Sequence, residues 1–308
     1  MNRSDYVFAL SEREQVCKLL REMPNGFSLS RMSLESRLKN LENIISQADP
    51  REHEPTKAIL TFKGPTVVGS HGISASFGTK AVSIFNEAIA YVASAFNGAL
   101  PSSGKIPNSD KNYLMITSAA RGSFGFVLEE FRPDAPLGFD EQTLVSKALD
   151  KTQAILRASL DGNDEALSEA LEELDNRALD KVRSFIQYLS ENKTVFTLKN
   201  DNFNLIFRDP KELESTFKKL STENIIEEEF HSDVYFLGTL PNKRQCEFII
   251  IGETEIRTAK IAKAIDTPDI INKHLGKVCH AHFIKRTVGN GKPRYSLVSM
   301  PSWHVDKP

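Results

Sequence analysis

The apolar residues of this chain change their period near residue 230, and that change limits what it can fold into. Upstream, long apolar series recur every three or four residues, the spacing of one helix face. Downstream, short runs of strand-forming residues alternate with turn clusters. Two pattern-distinct stretches are expected to build two modules, each burying its own face. Charge divides at the same place. The tail from His231 to Pro308 carries twelve Lys/Arg against seven Asp/Glu, a charge of +5, and the remainder carries 27 against 34, a charge of −7. Net charge governs which partners approach a surface, so the two modules are expected to have different partners.

With 308 residues, 40% hydrophobic and 26% charged, the chain is long enough for two or three globular domains. Its longest apolar runs, such as Phe248-Ile249-Ile250-Ile251, fall far short of the roughly 18 residues of a membrane span, and Met1 to Asp5 opens without a signal-peptide core. A cytoplasmic location and no membrane partner are expected. Cys17, Cys246 and Cys279 are odd in number and widely spread, which suits reduced thiols better than a disulfide framework.

Residues 1–56 read as a helical lead-in: helices over 9–22 and 33–47, the second with Leu34, Leu38, Leu41 and Ile45 on one face, separated by Pro24-Asn25-Gly26. Residues 57–192 read as a ββαββ sheet with a helical hairpin. Strands are expected over 57–63, 66–69, 113–117 and 124–129. Between them a helix from Thr79 to Asn97 places Val82, Phe85, Ile89, Val92 and Phe96 on one stripe. A four-stranded, largely antiparallel sheet with that helix on one face buries both apolar surfaces. The helical hairpin runs from Asp140 to Asn192 with its break at Asp161-Gly162-Asn163. Its second member repeats Leu167, Leu171, Leu174, Ala178, Val182, Phe185 and Leu189 at nearly heptad spacing, a stripe for internal packing or for a homodimer seam.

Residues 193–308 read as a hairpin over 194–207, a short helix started by Asp209-Pro210, and a small β-barrel of SH3-like or OB-like kind. Five strands are expected there, over 233–240, 246–252, 255–262, 277–286 and 293–299. The fold class is therefore α+β.

Candidate chemistry is sparse. The loop Gly69-Ser70-His71-Gly72 precedes a helix, where free amides and the helix dipole can hold an anion, and Arg121 and Ser123 flank a strand that begins Phe124-Gly125-Phe126. A glycine inside a strand marks a bulge or the close approach of another backbone. Ser70, His71, Gly72, Arg121 and Ser123 are thus the anion-binding candidates. Cys279-His280-Ala281-His282 puts two histidines on one strand face without the spacing of a zinc motif, and neighbouring strand residues diverge, so neither a metal site nor a Cys-His nucleophile is expected. No cofactor is expected, and no catalytic residue is assigned. In the tail, Lys243, Arg244, Lys285, Arg286, Lys292 and Arg294 lie near turns, interleaved with Phe236, Phe248, Phe283, Tyr295 and Trp303. Cations with stacking aromatics are how small barrels bind single-stranded nucleic acid, while the same cations suit an acidic protein partner.

Three stretches, Gly69 to Ile73, Arg121 to Glu130, and Leu237-Gly238-Thr239-Leu240 with Phe248, resemble those of a loose set of bacterial proteins found in phage-defence and mobile-element gene neighbourhoods. The resemblance implies a bacterial cytosolic conflict system and carries over no binding or catalytic residue. The leading expectation is a non-enzymatic binding or adaptor protein whose basic barrel engages nucleic acid or a partner subunit. One alternative is a hydrolase or nucleotide-processing enzyme with its site where the Gly69–Gly72 loop meets the Arg121–Phe126 hairpin. Another is a structural homodimer along the Leu167 to Leu189 stripe.

Overall fold

The computed structural model describes residues 3–23, 29–47, 56–98, 100–101, 103–107, 111–120, 124–131, 142–172, 174–200 and 202–303. Helices α1 (Arg3–Glu22) and α2 (Leu29–Ser46) form the lead-in. They pack around Ala9, Val16 and Leu41, and Arg37 donates two hydrogen bonds of 2.8 Å to the Glu12 carboxylate.

The next elements are β1 (Lys57–Lys63), β2 (Val67–Val68), β3 (Gly72–Ile73), α3 (Ala75–Ala95), β4 (Leu114–Ala119), β5 (Phe124–Glu130), α4 (Leu144–Asp161), α5 (Asp164–Ala170), α6 (Asn176–Glu191), β6 (Val195–Lys199), β7 (Asn204–Ile206) and α7 (Pro210–Lys219). They build a five-stranded antiparallel sheet in the order β4-β5-β1-β6-β7. Two expectations are corrected here. The run at 66–69 is no sheet strand; it supplies β2, which pairs only with β3 in a separate two-residue ladder. The place beside β1 is taken by β6, from the hairpin at 194–207 that the sequence had grouped with the C-terminal module. The apolar side chains explain the choice. Phe196 of β6 stacks on Phe207 and meets Phe185 of α6, which in turn packs on Phe85 of α3, so the hairpin belongs to the core that α3 and α6 need.

The α3 stripe is buried as expected, with Val82, Phe85, Ile89 and Val92 in the core. Every member of the Leu167 to Leu189 series is buried in that same core, so this stripe packs within the subunit and offers no seam to a second copy. It is also not one helix. The chain leaves α5 at Leu171 and re-enters helix at Asp175, whose side chain caps α6 by accepting from the Arg177 amide at 2.8 Å. The break before α5 falls where glycine allows it, with Gly162 in the left-handed region. At α7, Asp209 and Glu212 form a capping box and Pro210 occupies the first turn.

The barrel comprises β8 (Ile225–Leu240), β9 (Gln245–Ile250), β10 (Arg257–Ile261), β11 (Cys279–Val288) and β12 (Arg294–Leu297), with β13 (Ser302–Trp303) added on β11. The ring closes as β8-β9-β10-β12-β11-β8, with β10 and β12 parallel and the other neighbours antiparallel. First, second, third, fifth and fourth strands around a ring is the connectivity of an OB-type barrel, which decides between the two barrel kinds expected. One strand reaches two partners because β8 is sixteen residues long. It pairs with β11 over Ile225 to Val234 and with β9 over Val234 to Leu240, and its ladder slips between Phe236 and Gly238. Phe236, Phe248 and Phe283 fill the interior, with Phe248 and Phe283 stacked at 4.3 Å.

The two modules keep separate sheets and separate cores, but they are not independent. Ile225 and Val288, paired at one end of the β8–β11 ladder, are buried in the core of the αβ body. Because β8 begins at Ile225, it also brings Glu227, Glu228 and Glu229 into the barrel. That raises the barrel's acidic count from seven to ten against twelve cations, so its excess falls from +5 to +2.

Candidate functional site

The barrel meets the body through a clasp of charged groups. Asp164, at the start of α5, accepts from Lys219 Nζ at 2.7 Å and from the Asn290 amide at 3.1 Å. Its neighbour Glu165 accepts from the Lys292 amide at 3.2 Å and from Arg294 at 2.5 Å. Arg286 reaches from β11 into the turn between α5 and α6. It donates to the Leu171 carbonyl, to the Leu174 carbonyl at 2.9 Å and to Asn176 Oδ1 at 3.2 Å, while its Nε holds Glu227 at 2.5 Å.

These contacts redefine the six barrel cations picked out in the sequence. Arg286 and Arg294 bind the body. Lys285 pairs with Glu228 at 2.8 Å, and that contact holds its ammonium pKa above the usual lysine value. Arg244 turns inward from a left-handed backbone and donates to the carbonyls of Ile261, Ala262 and Ile265, tying the β8–β9 turn to the end of β10. Lys243 and the Lys292 side chain are exposed. The aromatics interleaved with them are equally committed. Phe236, Phe248 and Phe283 are interior, Tyr295 packs on Phe230 and Phe248, and Trp303 stacks on His274 at 4.4 Å. The basic tail with interleaved aromatics is thus a core plus a docking surface.

Lys219 and the Asn290 amide hold the Asp164 carboxyl below its ordinary value. A depressed carboxylate pKa contributes stability that is fully present above the unfolded value and fades as pH falls through the folded one. The melting temperature of an Asp164→Asn variant is accordingly expected to lie below that of the parent at pH 7, with the gap closing below about pH 4. Paired thermal melts across that range read the effect.

Behind the clasp lies a cleft of about 310 Å³ between body and barrel. Its apolar floor includes Ala95, Leu174, Ile261 and Ile284. Lys260, Lys263, Arg286 and Arg294 stand on the barrel side together with Glu227, opposite Glu172 and Asp175. Lys260 Nζ lies 4.0 Å from Glu172, and Lys263 donates to the Phe96 carbonyl. Position at a module boundary, apolar lining and a few convergent polar groups are the usual marks of a small-ligand site.

The anion-binding candidates lie elsewhere. Ser70 and His71 are exposed at the tip of the β2–β3 hairpin, with Gly72 pairing to Val68, and none of the three lines the cleft. Ser74 precedes α3 without a side-chain cap. Arg121 and Ser123 fall outside the described residues. Gly125 answers the sequence question directly: a Cβ there would stand 2.1 Å from the Leu60 carbonyl oxygen, so the glycine serves backbone approach between β5 and β1. Cys279 points into the barrel, its thiol pushed up to about 11 by burial, while His280 points outward to Asp233 at 2.9 Å, so the two form no reactive pair.

Sequence reasoning missed the clasp because its acidic half, Asp164 and Glu165, reads as an ordinary first helical turn and its basic half as a free patch. The available signal was complementarity: an acidic helix start in one module and a basic glycine turn, Gly289 to Arg294, in the other. Compared with protein-family models, curated proteins and solved structures, the chain matches none. No helix among the described residues is long and apolar enough to cross a membrane.

Proposed function

We propose that this chain is a non-enzymatic binding protein that holds a small anionic ligand, one bearing a phosphate or carboxylate, in the cleft between barrel and body. The observation that carries this reading is the cleft itself, where four cations of the barrel converge over an apolar floor at a boundary fixed by Arg286, Asp164 and Glu165. The engaged state of Arg286 and Arg294 also favours a small ligand over a nucleic-acid strand, which needs a row of available cations and exposed stacking rings.

Thermal melts with a panel of nucleotides, inorganic phosphate, dicarboxylates and short single-stranded oligonucleotides provide the test. A cleft ligand at a hundred times its Kd is expected to stabilise the fold by about 2.7 kcal/mol. Ser296→Trp, which fills the cleft from β12, is expected to abolish that shift while leaving the unliganded melt near the parent's. A shift that survives the filled cleft would place the ligand elsewhere, and preferential, steeply salt-dependent stabilisation by oligonucleotides would restore nucleic acid as the partner.

A further inference from the structure

The outward face of the β8–β11 ladder carries a cluster that the cleft does not use. Glu229, His231 and Asp233 alternate along β8, and they stand opposite Ile284, His282 and His280 of β11. His231 and His282 are direct cross-strand partners with rings stacked at 4.2 Å, and His280 lies parallel to His231 at 5.7 Å. Glu229 Oε1 approaches His282 Nε2 to 2.5 Å. That nitrogen is shielded from solvent and makes no hydrogen bond of acceptable geometry, so the close approach of Glu229 is its one polar contact among the described residues. The ligand atoms of Glu229, His231 and His282 all lie within 4.8 Å of one another.

We propose that Glu229, His231 and His282 form a binding site for a divalent transition-metal ion, zinc in the first instance. Two imidazoles and one carboxylate are a donor set suited to zinc, and three protein ligands leave a fourth position for water or an incoming donor. Tetrahedral coordination at bond lengths of about 2.0–2.1 Å puts neighbouring donors roughly 3.4 Å apart. Closing the site takes side-chain rotations that turn the two ring planes out of the stack so that both nitrogen lone pairs converge, while the paired strands keep the three Cα atoms in place. Outside the three ligands, Asp233 fixes His280 alongside the stack through its Nδ1, the kind of carboxylate–imidazole contact that orients residues around a metal. The rings of His231 and His282 face each other beside the Glu229 carboxylate. One dication between them satisfies both nitrogens and the carboxylate at once. This site stands independently of the cleft reading, although Ile284, which pairs with Glu229, also lines the cleft wall. It revises the expectation of no metal, because His231 and Glu229 lie some fifty residues upstream of His280 and His282 and only strand register unites them.

Tag-free full-length protein, stripped with chelator and titrated with Zn²⁺ by calorimetry, is expected to bind one equivalent. His231→Gln and His282→Gln are each expected to weaken that binding by about tenfold or more. His274→Gln, at the ring stacked on Trp303, is expected to leave it unchanged. Absence of saturable Zn²⁺ binding, or equal binding in all three variants, overturns the site. Co²⁺ loading of the parent protein gives a second measurement should a variant fold poorly. Intense tetrahedral visible absorption supports the site, and the weak absorption of hexa-aqua Co²⁺ overturns it.

Discussion

Gly125→Ala is expected to be the most damaging single substitution in the αβ body, lowering stability by at least about 3 kcal/mol, the upper range for overpacking a core. Gly125 sits in β5 opposite Thr61 of β1, in the middle of the five-stranded sheet. A methyl group built there meets the Leu60 carbonyl oxygen at 2.1 Å, Thr61 Cα at 2.5 Å and the Leu60 carbonyl carbon at 2.9 Å. All three are backbone atoms, so no side chain can swing away; the β1–β5 ladder must part instead. That ladder anchors Leu60, Phe62 and Leu128, each almost wholly buried, so separating it opens the core beneath α3. Gly238→Ala is the matched control. It also lies in a strand, at the slip of the β8–β9 ladder, but nothing stands within 4 Å of its added methyl. Urea unfolding is expected to show the control within about 0.5 kcal/mol of the parent. A Gly125→Ala protein with an unchanged midpoint would mean that β5 and β1 are not packed as described.

The periodicities in the sequence carried most of the architecture, and where they misled the reason is physical. Spacing along α3 and the alternation in the tail are local, so the helix and the barrel strands could be read residue by residue. Register is not local. Whether β1 takes β2 or β6 as its neighbour depends on Phe196 reaching Phe185 and Phe207, contacts across elements that no single run encodes. The Leu167 to Leu189 series fits a heptad well enough to suggest a seam, yet Asp175 interrupts the helix and turns both halves inward. Charge misled in the same manner. Starting the tail at His231 removed three glutamates from their own strand and inflated the basic excess, and of the cations that looked available for a partner, Arg286 and Arg294 hold the body while Lys285 and Arg244 are tied within the barrel. A lone histidine pair, similarly, gained a third imidazole and a carboxylate only when β8 was laid beside β11.

Arg286→Met is expected to loosen the two modules from each other at a cost of about 2–4 kcal/mol, somewhat below the 3–5 of a fully buried ion pair because Glu227 remains 24% exposed. The Arg286 side chain is 14% exposed, and its guanidinium serves two main-chain carbonyls, one amide oxygen and one carboxylate. Methionine keeps most of the stem's packing and removes every donor, so what is measured is the loss of those bonds. Glu227 then keeps the Asn176 amide but loses its charged partner, and the Leu171 and Leu174 carbonyls, in the turn between α5 and α6, lose their donor. Arg286→Lys is expected to recover little, since one ammonium cannot span acceptors arranged for a planar fork. A double-mutant cycle with Glu227→Gln separates the two contributions. Strong coupling identifies the ion pair as the main bond, and weak coupling assigns the cost to the helix carbonyls. Limited proteolysis offers an independent readout, with cleavage expected to rise in the Gly289–Arg294 turn once the clasp opens. If Arg286→Met instead melts with the parent and resists protease equally, the barrel is held by the Ile225–Val288 contact and by the Asp164 and Glu165 bonds to the Gly289–Arg294 turn, and Arg286 is not the fastening of the cleft.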